Sequence, residues 1–114
     1  MASPEVRYLV IEPKGTITAH EAILNTGDAQ DIVGGDIEIL PEPADVEAVL
    51  ICNEEGKRQG LEPNWLATRL IRHAIRTTDF VTGNVIVAGL PDGEGNLTSL
   101  TPEQEQRVRD LDDA

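Results

Sequence analysis

Arg69, Arg72 and Arg76 fall at i, i+3 and i+7, with Trp65 one helical turn before the first of them and His73 at the margin. On one continuous helix this spacing sets three guanidinium groups on one face beside an indole. Such a face pairs with carboxylates or phosphates, and the indole adds the apolar anchor that interface hot spots favour. The same spacing also suits a solvated outer face in which Trp65 packs under Arg69 as a cation–π pair. Read as a binding surface, Trp65, Arg69, Arg72 and Arg76 would engage an acidic protein surface, or the acidic surface of another copy of the chain.

The other groups capable of chemistry lack the neighbours that chemistry needs. Asp92, Glu94, Asn96, Thr98, Leu100 and Glu103 match the ligand spacing of a calcium loop. Leu97, however, stands where that loop needs glycine, and a strand precedes it where a helix should, so ordinary turn chemistry is the better account. His20 and His73 have no cysteine or histidine at ligand spacing. Neither Ser3 nor Ser99 lies in a nucleophile elbow, and Cys52, if buried, is an unreactive thiol. Gly34-Gly35 reads as a helix stop, since a phosphate loop needs its glycines before a helix. No catalytic residue, metal or cofactor is assigned, and a non-enzymatic role is the better reading.

Charge narrows the partners. The 114 residues carry a net charge of −12, with a pI near 4.3. Between Gly56 and Thr78 stand Lys57, Arg58, Arg69, Arg72 and Arg76 against Glu62 alone, a net of +4; the remainder, with 4 basic and 20 acidic residues, carries −16. The separation creates a dipole that can steer a partner, while the overall charge opposes direct binding to nucleic acid. The acidic surplus serves solubility, or alternatively imitates a nucleic-acid backbone and inhibits a DNA-binding protein. No apolar run approaches the length of a membrane span, and the one cysteine excludes an internal disulfide, so a cytoplasmic protein without membrane contact is expected.

The elements that must position these groups read as one domain over 1–114, with a short flexible N-terminus (1–5) and a fraying acidic C-terminus (110–114). Tyr8 to Ile11 is a first strand, and Thr16 to Ala22 either extends a hairpin or starts a short helix. Thr26 to Val33 is a short helix capped by Thr26 or Asp28. Asp36 to Ile39 alternates as a strand near an edge, and Pro41 and Pro43 end it. Ala48 to Cys52 is apolar on both faces, hence a central strand. Glu54 to Lys57 suits a hairpin turn with Gly56 at positive φ, after which a helix begins at Glu62 or Pro63 and runs to Arg76. Val85 to Ala88 is a second buried strand. Thr101-Pro102-Glu103-Gln104 is a capping box that opens a last helix.

The run Asp31-Ile32-Val33-Gly34-Gly35-Asp36-Ile37-Glu38, with Leu50-Ile51-Cys52-Asn53-Glu54-Glu55-Gly56-Lys57 and Gly60-Leu61-Glu62-Pro63-Asn64, resembles domain-of-unknown-function family 3846 (DUF3846). Asn84-Val85-Ile86-Val87 and the run from Gly93 to Thr101 fit the same pattern. The resemblance implies a small α+β domain of bacteria, phages and mobile elements, with no established activity to carry over. The arginine-rich segment Arg69 to Thr78 departs from the simpler pattern. The expected fold is thus α+β: a mostly antiparallel sheet of about four strands, one long helix across one face and a short C-terminal helix. The expected role is an accessory protein-interaction or host-modulating module, the alternative a small-ligand or nucleotide binder.

Overall fold

The computed structural model describes residues 4–43 and 46–112. The expected loose termini therefore fall partly outside the described residues; within them, Glu5 belongs to the first strand and Asp110 to the last helix.

Five strands form one antiparallel sheet: β1 (Glu5–Ile11), β2 (Ile17–Ile23), β3 (Ile37–Ile39), β4 (Ala48–Asn53) and β5 (Val85–Gly89), in the order β2-β1-β5-β4-β3. β5 lies in the middle and every residue of β4 and β5 is buried, which is why these two read as continuous apolar runs. Helix α1 (Thr26–Val33) covers one face, and α2 (Trp65–Leu70) and α3 (Pro102–Asp112) lie on the other. Strand alternation divides the core accordingly. Val6, Tyr8, Val10, Val49, Ile51 and Ile86 pack with Ala29 and Val33 of α1, whereas Leu9, Ile11, Leu50, Cys52, Val85 and Val87 pack with Leu66, Leu70 and Val108.

Several expectations need correction. The sheet has five strands where about four were expected, because the ambiguous Thr16 to Ala22 segment is β2, hydrogen-bonded along its whole length to β1. α1 has the expected bounds, but its cap is Asn25, whose side chain accepts from the Asp28 N–H at 2.8 Å. The long helix over 63–76 does not form. α2 has six residues, begins at Trp65 behind the cap Asn64, and gives way to a 3-10 turn, Arg72–Ala74. Thr68 Oγ1 donates to the Asn64 carbonyl, a back-bond that bends helices, and also accepts from the N–H of Val81. The loop returning toward β5 is thereby fastened across α2, and beyond Ile75 the sequence Thr77-Thr78 offers little to resume helix. The C-terminal helix, at 11 residues, is the longest, and it carries the expected Thr101–Gln104 capping box.

The segment after β4 is no hairpin either. Residues 54–60 form consecutive turns, and Pro63 bridges Thr82 instead of starting a helix. Gly56 is not among the glycines at positive φ; it is glycine because a Cβ there would lie 2.2 Å from Thr82 Oγ1.

Asn64 ties these pieces together. It is fully buried, and its amide donates to the carbonyls of Ile11 at 2.9 Å and Gly83 at 2.8 Å while its oxygen accepts from Ala67 N–H at 3.2 Å. Asn64→Asp keeps the shape but puts a carboxylate against two carbonyls. It is expected to cost about 3 kcal/mol or more, measured by denaturant unfolding, with the loss easing as pH falls and the new carboxyl takes up a proton. Gly56→Ala is expected to lower stability by about 1–3 kcal/mol, and adding Thr82→Ala, which removes the clashing hydroxyl, should restore part of it in a double-mutant cycle.

Candidate functional site

With α2 ending at Leu70, the residues expected on one cationic helix face fall on three separate short pieces. Trp65 opens α2 and is 56% exposed. Arg69, in its last turn, donates to the Leu111 carbonyl at 2.6 Å and so closes the end of α3 against α2. Arg72 donates to the carbonyls of Arg76 at 3.0 Å and Asp79 at 3.1 Å. It thus folds the 76–79 loop back on itself, a structural duty that its position on a helix would not suggest. Arg76 is exposed and lies outside both helical pieces. The four residues do not share a helix face, and of them only Arg72 and Arg76 are joined, by the Arg72 bond to the Arg76 carbonyl.

Nor does Trp65 pack under Arg69. Its ring meets Phe80 instead, with centroids 5.7 Å apart and planes tilted by 45°. Lys57 stands over the other ring, its Nζ 4.9 Å from the Phe80 centroid, and pairs with Asp79. The result is a ladder of indole, phenyl, ammonium and carboxylate. Asp79 Oδ1 also accepts from the Phe80 N–H, at 2.9 Å. The Lys57 hydrogen bond, joined by that N–H, holds the Asp79 carboxyl below its ordinary range. Lys57, Asp79 and Phe80 were not singled out from the sequence, and 22 residues separate the two members of the ion pair. The available signal was that Phe80 is one of only three aromatic residues and Lys57 opens the basic segment.

Behind the ladder lies an open cleft of about 510 Å³, bounded by β3 and β4, the turns after β4 and the 79–82 segment. Its floor includes Cys52, Ile71 and Ile75, and its rim carries Glu38, Glu54 and Lys57. Glu38 sits directly opposite Cys52 in the sheet. Burial first, and the Glu38 charge second, push the Cys52 thiol up to about 12. It is a packed side chain without thiolate character near neutral pH.

The remaining sequence candidates are absorbed by structure. The Asp92 carboxylate accepts from the N–H groups of Glu94 at 2.9 Å and Asn96 at 3.0 Å, which closes a turn. Ser99 Oγ accepts from Arg7 N–H at 2.9 Å. His20 stacks on Tyr8 in the sheet while His73 lies exposed in the 3-10 turn. Gly34, at φ 85°, ends α1 as expected. Among the described residues no three histidine, cysteine, aspartate or glutamate side chains converge as metal ligands, and no helix is long and apolar enough to cross a membrane.

The sequence model of the domain of unknown function DUF3846 matches residues 6–112, nearly the whole chain. The chain belongs to the DUF3846 family. Neither the curated proteins nor the solved structures contain a significant match to it. For this DUF3846 domain the match spans all five strands and all three α-helices save Glu5 at the start of β1, so the ladder and the cleft both lie within the family unit.

The raised thiol carries a pH consequence. Because Cys52 binds its proton more tightly folded than unfolded, its contribution to stability is complete below about 9 and is lost as pH rises toward about 12. Cys52→Ala is expected to flatten the alkaline decline in unfolding free energy. In the unaltered domain, maleimide labelling should be slow until denaturant opens the fold.

Proposed function

We propose that this DUF3846 domain is a non-catalytic protein-interaction module of a phage or mobile element. It engages an acidic surface of a host or partner protein through Trp65 and the cations around it. The observation that carries this reading is Trp65 itself. A tryptophan 56% exposed, its ring set against Phe80 and carried by the segment that also holds Arg69, Arg72 and Arg76, offers an apolar anchor beside basic groups. The hydrogen bonds of Arg69 and Arg72 go to backbone carbonyls, which hold the two guanidinium groups in place. The rest of the chain, at −16, repels an acidic partner everywhere else and so orients its approach.

A second reading, a small-ligand binder, draws on the cleft, whose apolar floor and charged rim suit a compact amphipathic molecule. The two readings separate by residue. Arg72 anchors the 76–79 loop, so Trp65 and Arg76 are the informative positions. Trp65→Ala with Arg76→Glu should remove a partner captured from host lysate by the unaltered domain, in a salt-sensitive manner, while stability falls by about 0.5 kcal/mol for Arg76→Glu and about 1 kcal/mol for Trp65→Ala, which loses the contact with Phe80. A set of captured proteins identical for the two forms would sink the interaction reading. Saturable stabilisation of both forms alike by a small molecule would favour the cleft.

A further inference from the structure

Charge around the cleft is unbalanced. Its lining holds four carboxylates, Glu38, Glu54, Glu55 and Asp79, against two cations, Lys57 and Arg58, a net of −2. Both cations are already engaged inside the domain, Lys57 by Asp79 and Arg58 by Glu55 at 3.1 Å. Glu38 and Glu54 are exposed and make no ion pair among the described residues. Glu38 stands opposite Cys52 in the sheet, so strand alternation turns it to the face on which Cys52 packs. Its field reaches the floor there, since it is the second cause, after burial, of the raised Cys52 thiol.

Beneath this charge the cleft is apolar. Leu40, Ile71 and Ile75 line it beside Cys52, with Phe80 also in its wall. Ile71 and Ile75 are there because helix ends at Leu70, which brings them to the core from a turn and from extended backbone. A volume of about 510 Å³ is that of an ordinary small-molecule site. Resting on the small-ligand reading of the cleft, we propose that it takes an amphipathic organic cation, whose apolar body covers Leu40, Ile71 and Ile75 and whose ammonium or guanidinium group pairs with Glu38 and Glu54.

The other charge classes fit less well. An anion would have to draw Lys57 from Asp79 or Arg58 from Glu55, and either exchange leaves a carboxylate without its cation. A neutral body of the same shape would cover the apolar floor while adding no partner for Glu38 or Glu54, which lose water as the cleft fills. The net charge of −12 also gathers cations around the domain, and the two unpaired carboxylates give that attraction a place. Phe80 connects the cleft to Trp65, the chain's one tryptophan, so a filled cleft registers in the indole fluorescence.

Three probes with one body separate the classes: phenylbutylammonium, phenylbutanol and phenylbutyrate, titrated into the full chain to about 10 mM with amide-resolved NMR and Trp65 fluorescence. The ammonium compound should saturate, move the amides of Glu38, Glu54 and Phe80, and bind about tenfold tighter than the alcohol, as two solvent-exposed ion pairs acting together provide. Added salt should narrow that gap. Glu38→Gln with Glu54→Gln should bring the cation down to the affinity of the alcohol and leave the alcohol unchanged. Glu12→Gln with Glu94→Gln removes the same charge from two exposed residues outside the cleft and should alter neither. Binding of the alcohol or the carboxylate as tight as that of the cation overturns the proposal while the small-ligand reading stands. Equal weakening of the cation by the two pairs of substitutions also overturns it, because the attraction is then diffuse. If none of the three probes moves the amides of the cleft, the proposal and the reading beneath it fall together.

Discussion

One side-chain amide holds the architecture in register. Asn64 is fully buried, and in water its group would be satisfied at no structural expense; inside the domain it must find partners, and three backbone groups supply them. Those groups belong to the end of β1, the approach to β5 and the first turn of α2. Their bonding decides where α2 starts, and Thr68, one turn on, decides what crosses it. The position of the 79–83 segment, and with it the ladder of Trp65, Phe80, Lys57 and Asp79, follows from that choice. Asn53 does the corresponding work on the other side of the same loop, donating to Val33 at the end of α1 and to Gln59 while accepting from Glu55 N–H. Two buried asparagines thus bracket the residues that form the turns between β4 and α2.

What was legible in the sequence was local. The bounds of α1, its glycine stop, the capping box before α3 and the buried runs of β4 and β5 all depend on residues within a few positions of one another. Periodicity and cap chemistry report those directly. The length of α2 was not legible, because the apolar spacing from Leu66 to Ile75 fits a helix equally well whether or not one forms. The spacing is used differently: Leu70 and Ile71 enter the core from the end of α2, and Ile75 reaches the same core from extended backbone, at φ −127° and ψ 163°. A hydrogen bond from Asn64 to a carbonyl 53 residues earlier has no periodic signature.

The candidate site was half legible for the same reason. Trp65 and the arginines were visible by type, but the partners that fix them, Phe80 for Trp65, Leu111 for Arg69 and Asp79 for Arg72, are distant in sequence. Arg72 illustrates the difference between charge and availability. Its guanidinium is committed to two carbonyls, so substituting it tests the loop before it tests any partner. Gly56 makes a parallel point about conformation. The expected turn would have required positive φ, whereas the structure requires only the missing Cβ, since Thr82 occupies that space.

Charge limits how this domain can meet an acidic partner. A surface at −16 outside the basic segment keeps most such collisions unproductive. Against that background, contact is favoured where charge is positive, and the basic segment that carries Trp65 meets that condition. β2 shows little charge outward, since its one carboxylate turns back to Arg7. Arg7 is held firmly cationic by Glu105 first and Glu21 second, so the same ion cluster that docks α3 on the sheet also draws the only charge of β2 away from its outer edge. Removing Glu105 would therefore loosen α3 and, by releasing Arg7 to Glu21 alone, change the charge seen along β2, which couples the packing of one face to the character of the edge.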